Sequence, residues 1–217
     1  MSDGSPTLTR IRPGRVSATE AARRRDLLLD TAMDEFTTHG FAAANLDRIA
    51  RNCRISKMTI YRQIGGKENL FLEATQRGAR ELLNSFQQIV DKGESPGKTI
   101  LAIIRQCQKA SGETDFGSLQ MAIAECRSFP EIANTMLEDT LNIYRPVADY
   151  FYRICAGSIS REQAHRGALI LMSMSVGGFL KLLGSTEPDS AEWAEDVYRI
   201  FMQGAGITDA VIGVEGD

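Results

Sequence analysis

Asn45-Leu46-Asp47-Arg48-Ile49-Ala50, then Ser56-Lys57-Met58-Thr59-Ile60-Tyr61-Arg62-Gln63, then Gly65-Gly66-Lys67-Glu68-Asn69-Leu70: these pieces of residues 45–70 decide the fold. The Asn45 side chain can accept orphan backbone N–H groups, and Asp47 suits a positive helix end, so a helix starts here. It cannot run far, because Ser56 offers a fresh cap within one or two turns and Ile60 begins a new apolar register. The next helix spans Lys57 to about Gln63. Gly65-Gly66 breaks it, and Lys67-Glu68-Asn69-Leu70-Phe71-Leu72 opens a longer helix reaching about Val90. Upstream, Ser17 or Thr19 can cap a first helix in which Ala21, Leu28, Ala32 and Phe36 recur at helical spacing until Gly40. Two short helices across a tight turn, with a third packed behind, make a helix-turn-helix. Ile49, Ala50, Ile55, Ile60 and Tyr61 can hold the pair together, which leaves Lys57, Met58, Thr59, Arg62 and Gln63 to face a groove.

Charge follows the same division. The chain of 217 residues carries a net −3, which alone argues against a polyanion partner. Residues 1–67, however, hold twelve Lys and Arg against seven Asp and Glu, a net +5, so the remainder carries −8. A basic head on an acidic body implies that only the head meets phosphates.

With 43% hydrophobic residues the chain can bury a substantial core. Cys53, Cys107, Cys126 and Cys155 are scattered, and only His39 and His165 could join them, so no metal site is expected. Isolated thiols and the lack of an apolar leader fit a cytoplasmic protein. The most apolar run, Gly167 to Leu180, falls short of the roughly 20 residues of a membrane span, so no membrane partner is expected.

Residues 1–18, with Gly4, Pro6, Pro13 and Gly14, read as a flexible basic arm. The helix-turn-helix domain occupies 19–66 (motif about 45–64), the connecting helix 67–90, and a C-terminal domain 91–217. In that domain helices are expected over Thr99–Ala110, Phe116–Phe129, Glu131–Cys155 split or kinked at Pro146, Arg161–Leu183 after a Ser160 cap, and Ala191–Gln203 after a Ser190 cap. No stretch alternates with period two, so the fold is all-α.

The spacing Leu46-x-x-Ile49-Ala50-x-x-Cys53-x-Ile55-Ser56-Lys57-x-Thr59-Ile60-Tyr61-Arg62-Gln63-Ile64-x-x-Lys67-Glu68-x-Leu70 resembles the DNA-binding signature of the TetR family of transcriptional regulators, over about Ala21 to Ala79. A second stretch, Ala124 to Glu131, resembles an element of one group of TetR sensor domains. The resemblance implies a homodimer that binds double-stranded operator DNA, usually as a repressor, and is released by a small-molecule effector, here unidentified, with no cofactor. Three residues depart from the family pattern: Arg54 replaces the turn Gly, Met58 a small residue, and Ile64 a Phe. Arg54 then needs a left-handed backbone at a cost of about 1 kcal/mol. Met58 on the exposed face can touch a thymine methyl.

The expected DNA-binding residues are Asn45, Arg48, Ser56, Lys57, Met58, Thr59, Tyr61, Arg62, Gln63 and Lys67. Tyr61 is either a core aromatic or, by resemblance, a phosphate contact; Lys67 is a solvated charge or a phosphate ligand at a helix N-terminus. Ser56 caps its helix on either reading. Arg62 and Gln63 are plain surface or readers of guanine and adenine. Arg10, Arg12 and Arg15 of the arm are inert or touch a minor groove or backbone. Cys53 is packing or a redox sensor.

The candidate effector-binding set is Phe86, Met121, Phe129, Met136, Tyr144, Phe151, Met172 and Phe179, each with ordinary core packing as its alternative. Ser173, Ser175, Gly177 and Gly178 make the penultimate helix small-sided, which suits either a four-helix dimer interface with the last helix or packing within one subunit. No nucleophile-base-acid set, carboxylate pair or phosphate loop is visible, and Gly65-Gly66-Lys67 lacks P-loop spacing, so no enzyme is expected.

Overall fold

The computed structural model describes residues 18–112, 130–156, 158–178, 180 and 185–204, and among these there is no strand. Four helices build the head: α1 (Ala18–Ala43), α2 (Leu46–Asn52), α3 (Lys57–Gln63) and α4 (Lys67–Asp91). Below them lie α5 (Pro96–Gly112), α6 (Pro130–Ile143), α7 (Arg145–Ile154), α8 (Arg161–Ser175), a single 3-10 turn (Glu187–Asp189) and α9 (Ala191–Gly204). No helix among the described residues is long and apolar enough to cross a membrane.

Two cores form, and α4 belongs to both. Leu28, Leu29, Phe36, Phe41, Ile49, Ile60, Leu70 and Phe71 close the head. Phe36, Phe41 and Phe71 stack or meet edge to face there, with centroids 5.1–5.8 Å apart. Phe86 and Val90, about four and five turns beyond Phe71 along α4, enter the second core with Ile100, Ile103, Val147, Phe151, Leu171, Val197 and Phe201. One rigid rod therefore connects the two bodies. Arg77 of α4 pairs with Asp26 and Asp30 of α1, and Arg25 pairs with Glu73, which adds polar ties along the α1–α4 seam.

The caps fall where the sequence places them. Asn45 Oδ1 accepts from the Asp47 amide at 2.7 Å, and Ser56 Oγ from Thr59 at 3.1 Å. Ser160 and Gln163 form a reciprocal capping box, and Ser190 Oγ accepts from the Trp193 amide. Arg54 does adopt a left-handed backbone, φ 54°. Tyr144 separates α6 from α7, with Pro146 near the start of α7, where its missing N–H costs nothing.

Three expectations need correction. Ala21 is exposed, and the buried stripe of α1 begins at Leu28; Gly40, φ 75°, breaks the regular helix but a last turn continues to Ala43. Tyr61 is 46% exposed, so Ile60 alone of that pair locks α3 into the core. The helix after Ser160 does not run on to Leu183: α8 ends at Ser175, and Gly177 (φ 69°) and Gly178 (φ 47°) turn the chain in a conformation open mainly to glycine. A Cβ on Gly177 would stand 2.2 Å from Pro188 Cγ, so Gly177 packs within the subunit and Ser175 is buried with it, while Ser173 and Gly178 stay exposed. The expected helix Phe116–Phe129 lies outside the described residues.

Candidate nucleic-acid interface

Helix α3 owes its position to one apolar anchor and one cap. Ile60 is fully buried while Ser56 satisfies the Thr59 amide, and Thr59 Oγ1 adds a 2.8 Å hydroxyl contact to Ser56. Rotating outward from Ile60, the exposed face carries Met58, 71% exposed, with Tyr61, Arg62 and Gln63. None of the side chains of Tyr61, Arg62 and Gln63 makes a hydrogen bond or ion pair within the described residues. A row of unengaged donors and acceptors beside one apolar thioether matches what base edges and a thymine methyl present in a major groove.

Tyr61 is held from behind. A Cβ on Gly66 would lie 3.6 Å from its ring, and Gly66 has φ 141°, ψ −167°, a region open essentially to glycine. The Gly65-Gly66 pair thus ends α3, starts α4 and lets the Tyr61 ring lie along the backbone with its hydroxyl at the surface.

The cations divide into two groups. Lys57 Nζ is 2.9 Å from Asp47, which pushes its ammonium further toward the charged form. Lys67 Nζ donates to the Ala42 carbonyl at 3.0 Å and the Ala44 carbonyl at 3.3 Å, and lies 4.9 Å over the Phe41 ring. Its ammonium therefore closes the end of α1, with one N–H left for another acceptor. Arg48 Nε and Nη2 donate to the carboxylate of Glu35, the shortest contact being 2.6 Å. Among the described residues Arg51, Arg54 and Arg62 have no such partner. Sequence spacing offered no sign of this division, since it depends on which acceptor the fold brings within reach.

Glu35 is the residue that sequence reasoning missed. It is 8% exposed on α1, ten residues before the cap it serves, and its Oε1 also accepts the Asn45 amide at 2.9 Å. The Arg48 guanidinium and the Asn45 amide hold its carboxyl below the usual carboxylate range against the opposing effect of burial. The only signal available was a Glu at a core position of the α1 stripe, beside Phe36.

Of the candidate effector-binding residues, Phe86, Phe151 and Met172 are buried in the second core and Tyr144 is half-buried. Burial pushes the Tyr144 hydroxyl up to about 12 and the Cys107 thiol likewise to about 12. Cys107 Sγ lies 3.3 Å from Met172 Sδ. Met121, Phe129 and Phe179 lie outside the described residues, as does the side chain of Met136 in α6. Among the described residues no cluster of His, Cys, Asp and Glu could hold a metal.

Residues 28–74 match the family described as bacterial regulatory proteins, tetR family. An HTH-type transcriptional repressor of Streptomyces coelicolor is 36% identical over 63 residues, covering 29% of this chain and 32% of the relative. The chain thus matches only about a third of that relative's length. Among solved structures, a protein assigned to the TetR family of transcriptional regulators from Mesorhizobium loti superposes with a TM-score of 0.73 at 17% identity, covering 85% of this chain and 97% of the other. The transcriptional regulator FadR of Bacillus subtilis, solved in complex with stearoyl-CoA, superposes with a TM-score of 0.63 at 11% identity, covering 82% and 98%.

Proposed function

We propose that the chain, whose residues 28–74 match the tetR family of bacterial regulatory proteins, is a cytoplasmic transcriptional repressor, with no catalytic activity, that binds a palindromic operator as a homodimer and is released by a small, largely apolar effector. The observation that carries this reading is the outward face of α3, where Met58, Tyr61, Arg62 and Gln63 stand exposed on a helix fixed from behind by Ile60. Arg62, Gln63 and Met58 read bases; Tyr61, Ser56, Thr59, Lys57, Lys67 and the Asn45 end of α2 set the register on the phosphates. Arg48 belongs to the support of that surface.

The boundaries 19–66, 67–90 and 91–217 divide reading head, connecting helix and sensor, with the arm 1–18 ahead of them. Ile170 of α8, 55% exposed, and Ile200 of α9, 54% exposed, favour a second copy against the last two long helices. The acyl ligand in the FadR structure and the apolar character of Phe86, Phe151 and Met172 favour an effector with a hydrocarbon part. An effector that binds better when the two reading heads are mis-spaced lowers operator affinity, and α4, shared by both cores, is the element that transmits it.

The test is the affinity of the full chain for random duplex DNA between about 50 and 200 mM salt. A phosphate-contacting head loses affinity steeply across that range, with log K falling in proportion to the counterions released. A flat or absent response would instead support a helical interaction module without DNA affinity.

A further inference from the structure

The Glu35–Arg48 pair does more than tie α1 to α2. Arg48 sits in the first turn of α2, and the first helix of a helix-turn-helix crosses the DNA backbone, where a guanidinium binds any phosphate regardless of sequence. In this protein one edge of that guanidinium is engaged, the side-on pair Nε and Nη2: Nε lies 2.9 and 3.1 Å from the two Glu35 oxygens and Nη2 lies 2.6 Å from Oε1. Nη2 also reaches the Ala43 carbonyl at 3.4 Å. The same carboxylate accepts the Asn45 amide, and His39 Nδ1 stands 3.7 Å away, so Glu35 is fixed by groups from α1, the α1–α2 junction and α2 at once. The arrangement is asymmetric. Glu35 is buried and cannot follow Arg48 outward, whereas the Arg48 side chain is 41% exposed.

We propose that Glu35 is a positioning and specificity residue of the reading head: it holds the α2 cap through Asn45 and keeps the Arg48 charge off the phosphates, so that sequence-blind affinity stays low. Resting on the DNA-binding reading, this adds a second function to the head, suppression of binding to the wrong DNA. Base-reading residues raise affinity for the operator, and a masked cation lowers affinity for everything else, which widens the ratio on which operator search depends.

Glu35→Gln keeps the size and one acceptor while removing the carboxylate charge. With random-sequence duplex as the probe, its affinity at low salt should rise about 3- to 10-fold, and its log–log salt slope should steepen by about one, the signature of one added phosphate contact. The double variant Glu35→Gln/Arg48→Met should return to the wild-type slope. Thermal unfolding of each variant supplies the folded fraction. A purely structural role would lower affinity in step with that fraction and leave the slope unchanged, which overturns the proposal. So would a steepened slope that persists in the double variant. A wild-type chain with no salt-dependent affinity overturns the DNA-binding reading itself, while a binding wild type with an unmoved Glu35→Gln slope overturns the masking role alone.

Discussion

Gly177 and Pro188 interlock: the Cα of the glycine faces the proline ring so closely that a Cβ would stand 2.2 Å from Cγ and 2.6 Å from Cβ of the ring. Trp193 completes the joint, its indole N–H donating to the Met174 carbonyl at 2.9 Å, while Gln108 Nε2 donates to the Pro188 and Ser190 carbonyls. The end of α8, the 3-10 turn and the start of α9 are thereby fixed within one subunit. Gly177→Asp is expected to destabilise the fold, by about 1–3 kcal/mol from overpacking plus the strain of a positive φ, read as a lower midpoint of thermal unfolding. Dimerisation is better tested at Ile200→Asp, which removes an exposed apolar side chain without touching this joint; light scattering should report monomers, and an unchanged dimer would place the interface elsewhere.

At the tight turn between α2 and α3, Arg54 holds φ 54°, and its side chain makes no hydrogen bond or ion pair among the described residues. Arg54→Gly relieves the left-handed strain and Arg54→Ala retains it. The glycine variant should exceed the alanine variant in unfolding free energy by about 1 kcal/mol, within the usual balance between strain relief and the greater chain entropy of glycine. Equal stabilities in denaturant titrations would mean that the turn stores no strain.

The helix-turn-helix was legible because each of its boundaries rests on a local device: the Asn45 and Ser56 caps, the Gly65-Gly66 break and the buried Ile49 and Ile60. The reach of α8 was not, since Gly177-Gly178 inside an apolar run reads equally well as a small helix face or a turn, and the Pro188 ring that decides it is eleven residues away. The Lys67 and Arg48 partners were hidden for the same reason. A sequence shows a cation, while the carbonyl or carboxylate that engages it is chosen by the crossing of α1 over α2 and α4. Phe86, Phe151 and Met172 carry core packing as their alternative in the sequence, and they are core in this structure.

Cys107 is buried against Met172, with its thiol pushed up to about 12. At pH 8 it should stay protonated and unalkylated in the folded protein, whereas the half-buried Cys53 should react before it. Peptide mapping after iodoacetamide treatment checks this; rapid labelling of Cys107 under native conditions would show that the second core opens far more readily than its packing implies.

On the DNA face, Tyr61→Phe removes a hydroxyl that carries no internal hydrogen bond, so it should weaken all sequences about equally and leave stability near wild type. Gln63→Ala and Arg62→Ala should instead relax discrimination at particular bases by about 1–3 kcal/mol each. Binding measured on a panel of single-base operator variants separates the two patterns, and a uniform loss from all three changes would place base reading on another face.

The central claim, a symmetric pair of α3 helices reading DNA, is tested most directly by selecting bound sites from a random DNA pool with the full-length protein. The expected result is an enriched site with two-fold symmetry, its half-site centres separated by one helical turn of about 34–36 Å or a multiple of it. Enrichment of no site, or of one lacking any inverted repeat, would contradict it.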